Sequence, residues 1–437
     1  MVATLQENSQ ESLYSFLKES FAVNVGEGPL GKIQEKAWRR FLDLGFPNRR
    51  LETFRSVPLH LFYKENFIRV ESSDLEFEKI SPYIYKECQK SVIVFVDGCF
   101  SEKFSDISAL PKQVVLSSLS QATKTYGTFL TNRWTRSLQE ESDSFSVLNA
   151  ALQQEGAFCY IPPRSRISVP LQVLHVTSPG LDSRAIFPRF HLFCGADCEI
   201  TLVGDHACLS SGGHWMNQVY DFSLEEGARV HYVNAAFDVG QAWHFDALRV
   251  NLKRNAFFKS VAFTQGSSSV RHDYRAVLAE ENAQVELNGV WALGDKNHAH
   301  TNILVRHEAP YCKSSQVFKG ILSQMSSSSF FAKIYVAPEA QKTEAFQRNN
   351  HILLSDLACA KSVPNLEIFA DDVKASHGVT VGQLNKEHLY YLESRGIPKS
   401  IAKGLLLSGF CKEVIEQIAL PEVFEKISKY LQQYLLR

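Results

Sequence analysis

Gly227-Ala228-Arg229-Val230-His231-Tyr232 is followed by Asn255-Ala256-Phe257-Phe258-Lys259-Ser260 and Asn282-Ala283-Gln284-Val285-Glu286-Leu287, and is preceded by Gly195-Ala196-Asp197-Cys198-Glu199-Ile200. In each copy a small, turn-prone start leads into alternating apolar and polar positions, the pattern of a half-buried strand. The copies begin at residues 195, 227, 255 and 282, with offsets of 32, 28 and 27, and Ser329-Phe330-Phe331-Ala332-Lys333-Ile334 reads as a later, degenerate copy. Periods of about 20 to 50 residues signal a solenoid or an array. No helix-period segment interrupts Gln172 to Val336, so stacked coils of strand fit where helical or β-α repeats do not. A β-helix or a long β-sandwich is expected. A solenoid ends in exposed strand edges, which tend to pair with another chain.

Around this core, 437 residues suffice for two to four domains at the usual length of about 100 to 200 residues each. The boundaries read as 1–155 for an N-terminal helical domain with a short strand region, 156–370 for the β core, and 371–437 for a C-terminal helical domain. Apolar residues make up 45%, charged residues 21%, and the formal net charge is -1. That balance gives no electrostatic footprint for nucleic acid or an anionic membrane. Nine scattered cysteines sit mostly in apolar runs, as core thiols of a reducing compartment do. Cys194 and Cys198 are the one close pair, and no second pair completes a zinc site. The N-terminus has neither the basic start nor the apolar run of a signal peptide, and no stretch has the roughly 18 apolar residues of a spanning helix. A cytoplasmic protein is expected.

Leu13, Phe16, Leu17 and Phe21 form one helical stripe, and Ala37, Trp38, Phe41 and Leu42 another. Gly45-Phe46-Pro47-Asn48 ends the second helix. Arg49, Arg50 and Arg55 then read as a solvated turn, because no Gly-rich backbone cradle accompanies them. Ser91–Asp97 predicts a strand, and the pattern is helical from Ser117 to Leu152. At the far end, Pro398 opens a helix striped by Ile401, Leu405, Leu406, Phe410, Val414 and Ile418; Phe424, Ile427, Leu431 and Leu435 stripe another. Phosphate-loop, serine-elbow and zinc-helix motifs are absent from the sequence. His298 and His300 share one face of a strand, but without a carboxylate or thiol at matching spacing they read as structural.

The seam between sheet and helices, Pro364 to Gly396, concentrates Glu367, Asp371, Asp372, Lys374, Ser376 and His377. Here the chain resembles the SufB/SufD family of iron-sulfur cluster assembly proteins. The resemblance rests on Gln347, Asn350, Leu353, Leu354, Ser355, Pro364, Leu366, Glu367, Ile368, Asp371, Asp372, Val373, Ser376, His377, Gly378, Gly382, Tyr391, Ser394, Arg395, Gly396 and Ala402. More loosely it takes in Ala37, the GFPNRRLETF stretch, the LNAAL stretch with Gly156 and Pro163, and His307 with Ser315-Gln316. SufB-like sequences have a glutamate-rich segment in place of Ser376-His377-Gly378 and a cysteine near Asn349 or Asn350, so the resemblance is to the SufD branch.

The resemblance implies a mainly β protein with a right-handed parallel β-helix core, an N-terminal α/β domain and a C-terminal helical domain. It implies a non-catalytic scaffold subunit that pairs with SufB and binds the ATPase SufC. A sulfur-donating desulfurase system would serve it indirectly. No tightly bound cofactor is implied beyond a transient iron-sulfur cluster; flavin is possible in such a complex but is not readable from these residues. His377, read as part of a Ser376-His377-Gly378 turn, is the candidate iron or cluster contact at the SufB interface. Many members of the branch have Cys two residues earlier, where this chain has Ala375, so any metal contact would rest on His377. Leu366, Ile368, Tyr390, Tyr391, Arg395, Leu405 and Phe410 are the candidate partner-binding residues, with Lys386 to Gln417 as the dock for the ATPase. A homo-oligomeric β-helix scaffold or a metal-dependent enzyme is the alternative reading.

Overall fold

A stacked coil of parallel strands forms the centre of the molecule in the computed structural model, which describes residues 2–70, 75–181, 183–236, 242–265 and 268–435. Each coil contributes one strand to an eleven-stranded sheet and one to a ten-stranded sheet. The chain alternates between them: Gln284–Leu293, His298–His307, Lys313–Leu322, Ser327–Val336, Thr343–Leu353, Cys359–Ile368 and Val373–Gln383 lie in the two sheets by turns. Pairing between successive coils is parallel and in register, as in Gln284↔Lys313 and Lys313↔Glu344. This is a β-solenoid, as the repeat predicts.

The turns explain the repeat. Asp197, Gly227, Asn255, Asn282, Tyr311 and Lys342 all have positive φ, between 55° and 69°, at the same corner of successive coils. The backbone N–H of each donates to a carbonyl of the next coil: Asp197 to Glu226, Gly227 to Arg254, Asn255 to Glu281, Asn282 to Pro310, Tyr311 to Gln341 and Lys342 to Asp372. Stacked corners thus satisfy their own polar groups. The next residue is small and buried in every copy: Cys198, Ala228, Ala256, Ala283, Cys312 and Thr343. Two of the nine cysteines therefore stand where other coils have alanine, as small apolar side chains.

The first copy as read from sequence is out of step by two residues. Glu199 pairs with Arg229, so Asp197-Cys198, rather than Gly195-Ala196, is the counterpart of Gly227-Ala228. The supposed late copy at Ser329–Ile334 lies within Ser327–Val336, a strand of the other sheet. The true late copies start at Tyr311 and Lys342, which take the left-handed conformation without the Gly or Asn that advertises it.

Two layers flank the solenoid. N-terminal helices Val2–Asn24, Gly28–Leu44 and Ser144–Leu152 cover the outer face of the eleven-stranded sheet. There Phe41, Phe54, Phe62 and Phe145 pack with Trp215, Trp243 and Phe245, and Trp38 stacks on Phe21 with ring centroids 4.8 Å apart. On the outer face of the ten-stranded sheet, Leu407, Cys411, Val414, Ile415, Val423, Ile427 and Leu431 of helices Lys399–Ile415 and Pro421–Leu435 meet Val203, Val233, Val261 and Val290. The observed inner stripe of Lys399–Ile415 is therefore Leu407, Cys411, Val414 and Ile415. Ile401 and Leu405 face outward, contrary to the sequence stripe.

Strands continue past residue 370, where the sequence reading ends the β core. Val373–Gln383 pairs along its length with Thr343–Leu353, so the helical segment starts at Lys386.

Candidate functional site

The end of the solenoid after residue 359 is uncapped. Cys359–Ile368 pairs with Ser327–Val336 alone, and Val373–Gln383 with Thr343–Leu353 alone, among the described strands. Pro364 sits in the first of these, where a missing N–H is tolerated because the strand is an edge. Val373–Gln383 contains no proline. Its outer backbone groups can all serve a further strand.

Register carries the solenoid interior to this end. Leu287, Gln316 and Gln347 occupy one inward-facing line on successive strands, and His377 is the next residue on it. Ser376-His377-Gly378 is thus the middle of a strand and not a turn. Gly378 suggests a turn in sequence, but here it is an edge-strand glycine whose absent side chain would have met open space. The line changes character as it nears the edge, from Leu287 to two buried amides and then the exposed imidazole of His377. Gln347 Nε2 donates to Gln316 Oε1 at 3.1 Å. Gln347 Oε1 and Gln316 Nε2 are buried without a partner among the described residues, a cost of about 1 to 3 kcal/mol for each such group unless a neighbour or water supplies the bond. One orphaned acceptor therefore lies beside His377.

Apolar residues share this end of the coil with His377. Leu366 and Ile368 extend inward lines from Ile334 and Val336, and both are half-buried against a small cluster with Val373 and Ala375. Val379 and Val381, at the next inward positions after His377, are 40% and 44% exposed, although the corresponding positions one coil back, Asn349 and His351, are buried. Interior side chains are exposed here because no further coil covers them. Among the described residues no group of three or more His, Cys, Asp or Glu side chains is placed to hold a metal ion.

The remaining partner-binding candidates divide. Tyr390 and Tyr391, on helix Lys386–Ser394, are 72% and 57% exposed, and Leu405 is 53% exposed. Arg395 lies over the ring of Tyr391 at 5.2 Å. Phe410 turns instead toward the solenoid: Lys319 donates to its carbonyl at 2.7 Å and lies over its ring, while Lys319 also pairs with Glu413 at 2.7 Å. Tyr390, Tyr391, Ile401 and Leu405 make the outward apolar surface of these helices. Phe410 belongs to their inner attachment. The stripe at four-residue spacing could not separate the two because both faces are apolar.

Known proteins are similar to this sequence over most of its length. Residues 176–410 match the family model described as SUF system FeS cluster assembly, SufBD core domain, and residues 8–173 match the SufBD protein N-terminal region. A Synechocystis iron-sulfur cluster assembly SufBD family protein is 24% identical, over 95% of this chain and 92% of its own. The Escherichia coli iron-sulfur cluster assembly protein SufD is 26% identical over 87% of each. A chloroplastic Arabidopsis thaliana protein is 24% identical over 96% of this chain and 89% of its own. Among the described residues, no helix is long and apolar enough to cross a membrane.

Proposed function

The chain belongs to the SufBD family of iron-sulfur cluster assembly proteins, and on that premise we propose that it is the SufD-type, non-catalytic subunit of an assembly scaffold. The observation that carries this reading is the open outer edge of strand Val373–Gln383 at the uncapped end, with His377 on its inward line. A strand of SufB adding to that edge would complete the main-chain ladder and cover Val379, Val381, Leu366 and Ile368. His377 would then lie at the seam between the two subunits. Neutral imidazole suits iron, and with Ala375 two residues earlier, the other ligands of an iron or nascent cluster would come from the partner. The cluster is cargo in this reading, held in transit.

SufC would dock on the outward surface of Tyr390, Tyr391, Ile401 and Leu405, and ATP turnover would belong to SufC. Leu405→Asp with Tyr391→Asp tests this. Both side chains are exposed, so the free subunit should fold and unfold as before. In a closed interface the two carboxylates would be desolvated without partners, at several kcal/mol. Capture of SufC by the double variant is expected to weaken by at least about tenfold, the equivalent of 1.4 kcal/mol, and ATPase activity should track SufC in every mixture. Undiminished capture by the folded variant would place the dock elsewhere. Turnover of ATP by this chain alone would contradict the non-catalytic role.

A further inference from the structure

Arg271, His300, Ser329 and Lys361 stand directly opposite one another on four successive strands of the eleven-stranded sheet. They line one outward-facing row that ends at the free edge. Across from this row runs the segment Glu52–Ser56 of the N-terminal layer, and between the two lies a narrow recess with about 30 Å³ open to the centres of water-sized spheres. Thr53, Arg55, Ser56, Thr301 and Asn302 complete most of its wall.

Two buried polar atoms in this wall have no partner among the described residues: Nε of Arg271 and Nε2 of His300. Arg271 and His300 are 2% and 3% exposed. The guanidinium is fixed by Asp143 and Asp273, at 2.6 and 2.8 Å from its Nη2, and by the ring of Phe54, 4.0 Å away. His300 is fixed through Nδ1, 2.7 Å from Ser329 Oγ; when that hydroxyl donates, Nε2 carries the proton and becomes a donor. Burial holds the His300 pKa down at about 3, so the ring is neutral at ordinary pH and such a proton stays on it.

Charge has the same sense as these donors. Within the layer behind the recess, Arg249, Arg271 and Arg275 are balanced by Glu141, Asp143 and Asp273. In the remaining wall Arg55 and Lys361 face the single carboxylate of Glu52, which leaves one positive charge over. Water could occupy such a place, but it neutralises nothing. Two unpartnered buried donors beside a surplus positive charge suit an oxyanion better than a cation.

We propose that this recess binds one small oxyanion, of carboxylate, phosphate or sulfate type, and that the bound anion fastens Glu52–Ser56 to the solenoid. The sequence reading of Arg55 as a solvated turn lacked the other half of the site, because Arg271, His300, Ser329 and Lys361 are brought together only by coil stacking. The site lies on an outward face and does not depend on pairing with SufB.

The test uses the full chain titrated with acetate, inorganic phosphate and sulfate at fixed ionic strength, with chloride as control, by calorimetry and thermal unfolding. One of the three oxyanions is expected to bind one-to-one and raise the melting temperature. Arg55→Gln and Lys361→Glu, both at the exposed mouth, should each weaken it at least tenfold, while Lys399→Glu on a distant helix leaves it unchanged. The pocket variants avoid Arg271, whose loss would break the buried ion cluster. Absence of saturable binding by all three anions, or equal affinity in the pocket variants and the control, would overturn the proposal.

Discussion

Asp273→Ala is expected to lower the free energy of unfolding by about 3 to 5 kcal/mol, the usual result of removing one member of a buried ion cluster. Asp273 is fully buried. Its Oδ2 accepts from Arg271 at 2.8 Å and from Asn302 at 2.6 Å, and Arg249 and Arg275 flank its Oδ1 at 2.7 and 3.2 Å as ion pairs without aligned hydrogen bonds. Burial pushes this carboxyl up, but Arg275, Arg249 and Arg271 together outweigh it and hold the group well below the usual carboxylate range. Without Asp273, three guanidiniums share Glu141 and Asp143 in a buried layer between the N-terminal helices and the sheet. Asp273→Asn, which keeps the volume but removes the charge, should retain most of the loss. Arg254→Ala, at an exposed pair with Glu281, should cost less than about 1 kcal/mol. Urea unfolding with an unchanged slope measures all three. A loss under about 1 kcal/mol for Asp273→Ala, within the usual effect of an exposed pair, would mean that the cluster does not bind the two layers together.

The second large effect is acid sensitivity. Burial holds His191 and His300 at about 3, and His214, His307 and His351 at about 4. Burial also lowers His175, His206 and His244. Each folded value lies below the unfolded 6.5, so the unfolded chain binds more protons, and stability is full above about pH 6.5 and is lost as pH falls from there. Between about pH 7.5 and pH 5.5, each of the five loses about 1.3 kcal/mol, or about 6 to 7 kcal/mol together. That is comparable to a whole domain's stability of about 5 to 15 kcal/mol. Buried carboxylates act elsewhere on the scale. Asp246, Asp221 and Glu141 are held below their usual values, so their contribution is lost only below about pH 4. The urea midpoint should therefore fall steeply above the carboxylate range, and His351→Gln should flatten that fall by one histidine's share. A midpoint constant from pH 7.5 to 5.5 would contradict this assignment.

These buried histidines mark what a sequence can and cannot disclose. The solenoid was legible because a small residue must follow each left-handed corner, and alanine fills that place at 228, 256 and 283. Register was less legible, since Gly195-Ala196 mimics the corner two residues too early, and Tyr311 and Lys342 occupy it without a favouring side chain. His377 was singled out through the family signature, and stacking then put it on an open edge strand in place of a turn. Neither the inward amides Gln316 and Gln347 nor the outward row from Arg271 to Lys361 has a local pattern. Their members are roughly thirty residues apart, one solenoid period, and meet only through strand register.

The central claim is that the open coil end pairs with SufB and presents His377 at that junction, and it is tested most directly by iron and sulfide content. His377→Ala would be coexpressed with SufB and SufC, the intact complex isolated, and cluster reconstitution followed by metal analysis and visible absorption. The account predicts a complex of unchanged composition whose iron and cluster absorption fall to near background. An intact complex with its full complement of iron, or a complex that no longer forms, would contradict it: the first leaves His377 outside the cluster chemistry, and the second makes it a packing residue.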